Sequence, residues 1–184
     1  MNAAHTIPPY DTFALGAAER AELRSDHAGE AGAVSIYEGV LRMAIDPEVR
    51  RFAQEHLRTE RAHLKFFDDW LPPDAHSRLL PLWRLSGWLL GALPALLGPR
   101  WVYATIDAVE TFVVAHYQAQ LDHFPTTTPA QRQLRAQLEQ FQADEGAHRD
   151  DAARRAEQPS GLLRAWQRVV GAGSAAAVAA AKRI

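Results

Sequence analysis

The sequence has no cysteine among its 184 residues, and this absence removes several classes of function. Disulfide bonds, thiolate-bound metals and cysteine catalysis are all excluded. A metal site must therefore use carboxylate and imidazole ligands, which suit iron or manganese and also zinc. An excess of positive charge is absent too, because 20 Lys and Arg against 22 Asp and Glu leave a net charge of -2. No nucleic-acid partner is expected, since such partners require a basic face.

The first 20 residues lack the features of a targeting segment. They contain Asp11 and Glu19, and no Lys or Arg precedes Arg20. A signal peptide begins with a basic region, and an organelle transit peptide is rich in Arg, so neither is indicated. We expect a protein that is made and kept in a bacterial-type cytoplasm.

The breaks between long helix-forming segments predict an all-α protein. A chain of this length suits one domain with a sizeable core. A first helix over about 18–45 meets Asp46-Pro47-Glu48, which combines an N-cap residue, a proline in the first turn and an acidic residue. A second helix therefore begins at once and runs to about residue 70, antiparallel to the first.

A second antiparallel hairpin is predicted further along the chain. Thr128 and Pro129 repeat the cap-and-proline arrangement between helices expected over 99–124 and 129–157. Pro159-Ser160 then opens a last helix that continues to the C-terminus. Its uncharged, Ala- and Gly-rich end favours a packing or oligomer-contact helix.

Two Glu-x-x-His motifs, each preceded by a lone glutamate, give the strongest functional signal. Positions i and i+3 share one face of a helix, so each motif directs a carboxylate and an imidazole at one point. In each predicted hairpin the lone glutamate and the motif lie at similar distances from the turn, within roughly one helical turn. This is the ligand set of a carboxylate-bridged di-iron or di-manganese centre in a helical bundle. The candidate ligands are Glu30, Glu60, His63, Glu110, Glu145 and His148.

General di-iron chemistry suggests a role for each candidate ligand. Glutamates suit such a centre because they shift between terminal and bridging modes. Glu60 and Glu145 are expected to bridge two metal ions, and Glu30 and Glu110 to be terminal ligands, although these roles could be permuted. His63 and His148 would each be a ligand of one metal ion. The alternative is that these residues are solvated surface glutamates with incidental histidines.

An apolar segment rich in leucine and tryptophan at 81–98 lies between the two hairpins, and no residue from 85 to 99 is charged. It is short for a bilayer span, which needs about 20 residues, and a proline interrupts it. We expect an interfacial or re-entrant helix that touches a membrane. The alternative is a buried crossover helix. The residues expected to contact the membrane are Trp83, Trp88, Leu89 and Leu90.

Several sequence blocks together resemble the demethoxyubiquinone hydroxylase family of ubiquinone biosynthesis. The resemblance covers roughly residues 20–155, with the blocks in the family's order and all six candidate ligand positions present. The clearest departure from the family is a short N-terminus. The blocks are Arg24 to Glu30 (RSDHAGE), Glu60 to Phe67 (ERAHLKFF), Pro81-Leu82-Trp83, Val109-Glu110, His116-Tyr117 and Asp144 to His148 (DEGAH).

The resemblance implies a ferritin-like four-helix bundle that acts as a peripheral membrane monooxygenase, with an extra apolar crossover helix and a C-terminal helix. It implies two iron ions per chain, with O2 and NADH or a reductase as co-substrates. The implied substrate is a polyprenyl methoxy-methyl-benzoquinone that lacks one ring hydroxyl, at the cytoplasmic face of the bacterial inner membrane. The ferritin-like domain would cover 18–184, after an N-terminal extension at 1–17. Other ubiquinone-biosynthesis proteins and further copies of the chain are candidate partners.

Four further residues are candidates for supporting roles. Tyr117, by likeness to the family, has a redox or substrate role or simply lines the core. Asp26 and Asp107 either hydrogen-bond the histidine ligands, which would fix the orientation of each ring, or lie in surface or capping positions. His116 matches the family pattern and serves the substrate or the structure, but not as a ligand. His56 is expected to be an exposed polar residue.

Three alternative functions stay open at this point. The first is iron storage or metal detoxification by a ferritin-like protein, against which the apolar segment at 81–98 counts as a liability for a soluble shell. The second is hydroxylation of a modified tRNA base, which would need a basic face. The third is a structural membrane-associated bundle whose carboxylates are accidental.

Overall fold

The computed structural model describes residues 7–156 and 158–184 of the chain. These residues form six α-helices and two short 3-10 turns and contain no β-strand, which confirms the all-α prediction. Residues 1–6 of the predicted N-terminal extension, and Glu157 at a predicted helix end, lie outside the described residues. The helices are α1 (Ala17–Met43), α2 (Pro47–Trp70), α3 (Leu80–Leu97), α4 (Pro99–His123), α5 (Pro129–Ala156) and α6 (Gly161–Ala181).

Side-chain caps begin three of these helices where the sequence predicts them. Asp46 accepts hydrogen bonds of 2.8 and 3.1 Å from the backbone N–H groups two and three residues further on. Thr128 and Gln131 form a reciprocal capping box with bonds of 3.0 and 3.2 Å. Ser160 accepts a bond from the N–H group three residues further on. The first two caps follow short loops, so α1 and α2 form one antiparallel hairpin and α4 and α5 form the other.

Two apolar clusters hold the bundle together. One contains Tyr37, Phe52 and Ile106, and the other contains Phe67 and Leu134, all of them fully buried. Burial of one such side chain stabilises the fold by about 1.5–3 kcal/mol. Each of α1, α2, α4 and α5 contributes residues to one cluster near one end and to the other cluster near its other end. The predicted ligands lie between these two parts of each helix. The clusters therefore hold a buried polar layer between them.

Helix α3 packs on α1 through glycines rather than through interlocking side chains. A Cβ atom added at Gly91 would overlap the carbonyl oxygen of Ile36, and one added at Gly39 would overlap that of Trp88. A Cβ atom added at Gly87 would likewise overlap the carbonyl oxygen of Gly32 on α1. Small residues permit this direct approach of two helix backbones.

The side of α3 that faces away from α1 forms an apolar surface, which we call the outer face of α3. By length and composition alone, α3 is the one candidate membrane-spanning helix in the described part of the chain, and most of it is not buried. The alternative of a buried crossover helix is therefore wrong. Of the four predicted contact residues, Trp88 and Leu89 are exposed, whereas Trp83 and Leu90 are half-buried. The exposed members of the outer face are Leu82, Leu85, Trp88, Leu89, Leu93, Leu96 and Leu97.

Candidate metal centre

All six predicted ligands are buried, and four helices bring them together at the middle of the bundle. Helices α1 and α4 each supply one glutamate, and α2 and α5 each supply one Glu-x-x-His pair. Their ligand atoms form two groups, in each of which all the atoms lie within 4.8 Å of one another. Glu60 and Glu145 belong to both groups. The groups are Glu30, Glu60, His63 and Glu145, and Glu60, Glu110, Glu145 and His148.

Both histidines turn Nδ1 towards the carboxylates. Nδ1 of His63 lies 2.9 Å from Oε1 of Glu145 and 3.6 Å from Oε2 of Glu30. Nδ1 of His148 lies 2.9 Å from Oε1 of Glu60 and 3.1 Å from Oε2 of Glu145. Glu145 thus uses one carboxylate oxygen for each histidine, which is the arrangement expected of a residue shared by two adjoining sites.

The pKa values of these groups reflect the crowding of negative charge. Burial lowers the pKa of His63, but its contacts with Glu145 and Glu30 outweigh burial and raise it to about 11. Contacts with Glu145 and Glu60 likewise outweigh burial and raise the pKa of His148 to about 10. Burial and the charge of Glu145 raise the pKa of Glu60 to about 8. The centre therefore requires positive charge, which two imidazolium groups supply and which metal ions would supply in their place.

The donor set fits a pair of metal ions. Both carboxylate oxygens of Glu60 are buried; Oε1 has only the 2.9 Å contact with His148, and Oε2 has no hydrogen-bond partner among the described residues. A buried carboxylate oxygen without a hydrogen-bond donor is costly unless a cation binds its lone pairs. Four carboxylates and two imidazoles are the ligands that iron and manganese take in helical bundles.

Two tyrosines hold the glutamates of the opposite hairpin. The hydroxyl of Tyr117 on α4 donates a 2.8 Å hydrogen bond to Oε1 of Glu30 on α1. The hydroxyl of Tyr37 on α1 donates a 3.3 Å bond to Oε1 of Glu110 on α4. Each tyrosine follows the glutamate on its own helix by seven residues, so the two halves of the centre mirror each other.

The groups beside the histidines differ from those that the sequence suggested. Nε2 of His63 lies 3.2 Å from Oδ2 of Asp144. The ring of His148 packs on His56 with centroids 4.2 Å apart, and Nε2 of His56 lies 3.1 Å from Asp151. The prediction that His56 is exposed is wrong, because its side chain is buried against this ring. Its position four residues before Glu60 places both on one helix face, a signal that could have revealed it.

Asp26 and Asp107 have other partners than the histidine ligands, so the alternative in which they orient those rings is wrong. Asp107 accepts a 2.7 Å hydrogen bond from Gln167 and so joins α4 to α6, a helix that the sequence could not position. Asp26 lies 3.1 Å from Nε2 of His116 and accepts a 2.8 Å bond from Gln120. His116 belongs to neither of the two groups of ligand atoms.

A cavity of about 610 Å³ opens from the carboxylates and lies between α1, α3, α4 and α6. Along α1 its lining extends from Ser25 to Ile36, which corresponds to about 16 Å of helix. Asp26 and His116 line the end near Ser25, and apolar residues such as Leu90 and Trp166 line the other end. The four glutamates form part of the wall between the two ends. An apolar molecule with a polar head could therefore reach the carboxylates.

The fold and the site together define a class of protein: a helical bundle whose buried carboxylates and histidines suit two metal ions beside an apolar cavity. A family model, described as ubiquinone biosynthesis protein COQ7, matches residues 17–181. The chain belongs to this family, and the resemblance seen in the sequence blocks is confirmed. The all-helical bundle also agrees with the ferritin-like fold that this resemblance implied.

Similar proteins occur in bacteria and in mitochondria. The 3-demethoxyubiquinol 3-hydroxylase of Rhodospirillum rubrum is 37% identical over 132 residues, which cover 70% of this chain and 60% of the relative. The mitochondrial NADPH-dependent 3-demethoxyubiquinone 3-hydroxylase of Mus musculus is 30% identical over 164 residues, which cover 88% and 76%. The enzyme of the same name in Homo sapiens is 33% identical over 143 residues, which cover 76% and 65%. The matched segment thus spans 60% to 76% of these relatives.

Proposed function

We propose that this protein is an O2-dependent di-iron monooxygenase in a late step of ubiquinone biosynthesis. It would hydroxylate the ring of a demethoxy-polyprenyl-benzoquinone, or of its reduced form. The observation that carries this proposal is a buried cluster of six ligand residues whose four glutamates form part of the wall of an apolar cavity. The names of the bacterial and mitochondrial relatives describe the same reaction and support it.

In this proposal each ion has one histidine and one terminal glutamate, and the two ions share two bridging glutamates. Glu60 and Glu145 would be the two shared ligands, which is supported by their membership of both ligand groups. Two bound iron ions would supply two of the four electrons that O2 accepts and the ring C–H bond the other two, so that one oxygen atom enters the ring and the other becomes water. The terminal pairs are Glu30 with His63, and Glu110 with His148.

The two tyrosines position the terminal carboxylates for this chemistry. Each donates a hydrogen bond to one oxygen of a terminal glutamate and leaves the other oxygen for an ion. Burial and the charge of neighbouring carboxylates raise the pKa of Tyr117 and of Tyr37, so both hydroxyls keep their protons and stay donors at neutral pH. Tyr117 also lines the cavity, where it would lie beside the substrate.

The cavity would hold the substrate with its ring beside the carboxylates and its polyprenyl tail at the apolar end. Leu90, Trp166 and Val169 line that end, where α3 and α6 meet the cavity. The mostly apolar wall would exclude water from the ring, which protects the oxidising site from side reactions. Because α3 and α6 both line this end, the long tail would leave the cavity between them.

The outer face of α3 would lie in the cytoplasmic face of the bacterial inner membrane and make this a peripheral membrane protein. Seven large apolar residues are exposed on this one helix, and exposed apolar patches mark contacts with a membrane or with another protein. The substrate is itself a membrane lipid, so this orientation brings the cavity to the place where the substrate dissolves. Iron storage would require neither the outer face of α3 nor the apolar cavity.

The electron donor would be NADH, NADPH or a separate reductase. The mitochondrial relatives are named as NADPH-dependent, which supports a nicotinamide donor. Hydroxylation with O2 needs two external electrons for each turnover, because one atom of O2 leaves as water.

Turnover in vitro tests the proposed function. Iron-loaded protein, a nicotinamide donor and 18O2 are mixed with a short-chain demethoxy-quinone in detergent, and products are identified by mass spectrometry. We expect a ring product that carries one 18O atom and that is absent with metal-free protein and with Glu145→Ala. Glu139→Ala is the matched control, since Glu139 lies on the same helix but is exposed and pairs with Arg135. If Glu145→Ala turns over as fast as Glu139→Ala, the proposed site is wrong.

A further inference from the structure

The end of the cavity near Ser25 carries a histidine, His116, to which the proposed function assigns no part. His116 lines the cavity, and its ring packs parallel to that of Phe112, with centroids 6.1 Å apart. Its Nε2 lies 3.1 Å from Oδ1 of Asp26, and Ser25 and Glu22 have oxygens 3.4 and 3.7 Å from the same nitrogen. Every hydrogen bond and ion-pair contact of His116 among the described residues is made by Nε2, so Nδ1 has no hydrogen-bond partner there.

The contacts of Asp26 determine which nitrogen of His116 carries the proton. Asp26 is buried, and its other oxygen, Oδ2, accepts a 2.8 Å hydrogen bond from the amide of Gln120. A carboxylate that accepts a bond on each oxygen keeps the proton of a neutral imidazole on the nitrogen that faces it. Nε2 of His116 is then the donor, and Nδ1 is a lone-pair acceptor.

We propose that His116, held in one tautomer by Asp26, recognises the reduced ring of the substrate by accepting a hydrogen bond from a ring hydroxyl at Nδ1. A hydroquinone has two O–H donors, whereas the quinone has only carbonyl acceptors, which an acceptor nitrogen cannot bind. The ring that enters this site is therefore the quinol. The inference rests on the proposed function, because it takes the substrate class from there, and it adds the residue that distinguishes the two oxidation states.

The position of His116 suits this role. It lies six residues after Glu110, or about 9 Å along α4, at the end of the cavity opposite the apolar end. A ring bound there by one hydroxyl would extend towards the four glutamates, and its tail would continue to the apolar end. A site that pairs a buried polar group with a substrate hydroxyl rejects analogues that leave this group unpaired.

The test compares binding of the two oxidation states of one ligand. The protein is loaded with zinc, which does not change its oxidation state, and kept free of O2. A short-chain methoxy-methyl-benzoquinone and its hydroquinone are then titrated separately by calorimetry. We expect the hydroquinone to bind about tenfold more tightly, the effect of one hydrogen bond at a site that would otherwise leave an acceptor unpaired.

Three variants test the residues themselves. His116→Phe removes the acceptor and should bind both forms equally. Asp26→Asn should reverse the preference, because Gln120 still donates to the side-chain oxygen and the new NH2 group then donates to Nε2, which moves the imidazole proton to Nδ1. His123→Phe is the control, since His123 is exposed on the same helix outside the cavity, and should keep the wild-type preference.

The outcomes separate this inference from the proposed function. If the wild type binds quinone and hydroquinone equally, or if His116→Phe keeps the preference, His116 does not distinguish the two oxidation states. The proposed function would still stand in that case, because the protein binds the substrate class. If the wild type binds neither ligand, the proposed function fails as well. Thermal unfolding of each variant checks that it is folded, and His116→Phe alone decides the question if Asp26→Asn does not fold.

Discussion

Replacing Gly91 by alanine should destabilise the protein, although the same change in most helices is stabilising. Gly91 lies inside α3, where it meets the backbone of α1. A Cβ atom added there would lie 2.8 Å from the carbonyl carbon of Ile36 and 3.0 Å from the nitrogen of Val40. Ordinary contacts between such atoms are about 3.5–4.0 Å, so α3 and α1 would have to separate by about 1 Å.

The size of the effect follows from two opposing contributions. Alanine in place of glycine in a helix interior favours the fold by about 0.5–1 kcal/mol. Overpacking at a tight interface costs about 1–3 kcal/mol, and here the neighbouring atoms belong to a helix backbone that cannot rotate away. We expect a net loss of about 1–2 kcal/mol, which lowers Tm by roughly 2–8 °C in a chain of this size.

Thermal unfolding followed by circular dichroism measures this difference. The control is Gly171→Ala in α6, where an added Cβ meets nothing within 4 Å. Only the helix-propensity gain applies there, so Gly171→Ala should raise Tm by about 1–4 °C. If Gly91→Ala is as stable as the wild type, the direct backbone contact between α3 and α1 is not present, and the account of how α3 is held fails.

Further predictions concern the centre and the outer face of α3. Tyr117→Phe removes the hydrogen bond to Glu30 and should lower metal affinity by about 10-fold or more in a chelator competition, and an unchanged affinity would contradict its positioning role. The double variant Leu89→Glu/Leu93→Glu should no longer float with phospholipid vesicles, whereas the control Thr127→Glu, on the α4–α5 loop, should float like the wild type. If the wild type, the double variant and the control all float equally, α3 does not bind the membrane. Metal loading at pH 7 should release protons from the two histidine ligands, whose pKa values lie near 11 and 10, so apparent metal affinity rises with pH. Calorimetry in two buffers of different ionisation enthalpy counts the released protons, and a count of zero would contradict the charge balance described for the centre.

The sequence alone predicted those features that depend on local chemistry and helix periodicity. The cap at Asp46 follows from neighbouring residues, and the approach of Glu30 to Glu60 follows from helix rise and a short turn. Features that depend on the rotation of one helix against another were missed. Asp107 turns to α6 rather than to the ligands, because nothing in the sequence indicates which side of the bundle α6 covers.

The exposure of α3 illustrates the same limit. Its apolar composition suits both a buried and a membrane-facing helix, and periodicity does not distinguish the two. The glycine contacts decide the matter, because they bury the small residues Gly87 and Gly91 against α1 and leave the leucines outside. Such a contact depends on the register of two helices, which the sequence of either helix does not contain.

The number of iron ions bound per chain tests the central claim most directly, because two shared glutamates imply two ions that depend on each other. Iron is measured by elemental analysis after anaerobic loading and desalting of the wild type, of Glu60→Ala, and of the control Glu55→Ala, whose side chain is exposed on the same helix. The account predicts two ions per chain in the wild type and the control, and loss of both ions in Glu60→Ala. A wild type that binds one ion or none, or a Glu60→Ala variant that keeps two, would contradict it.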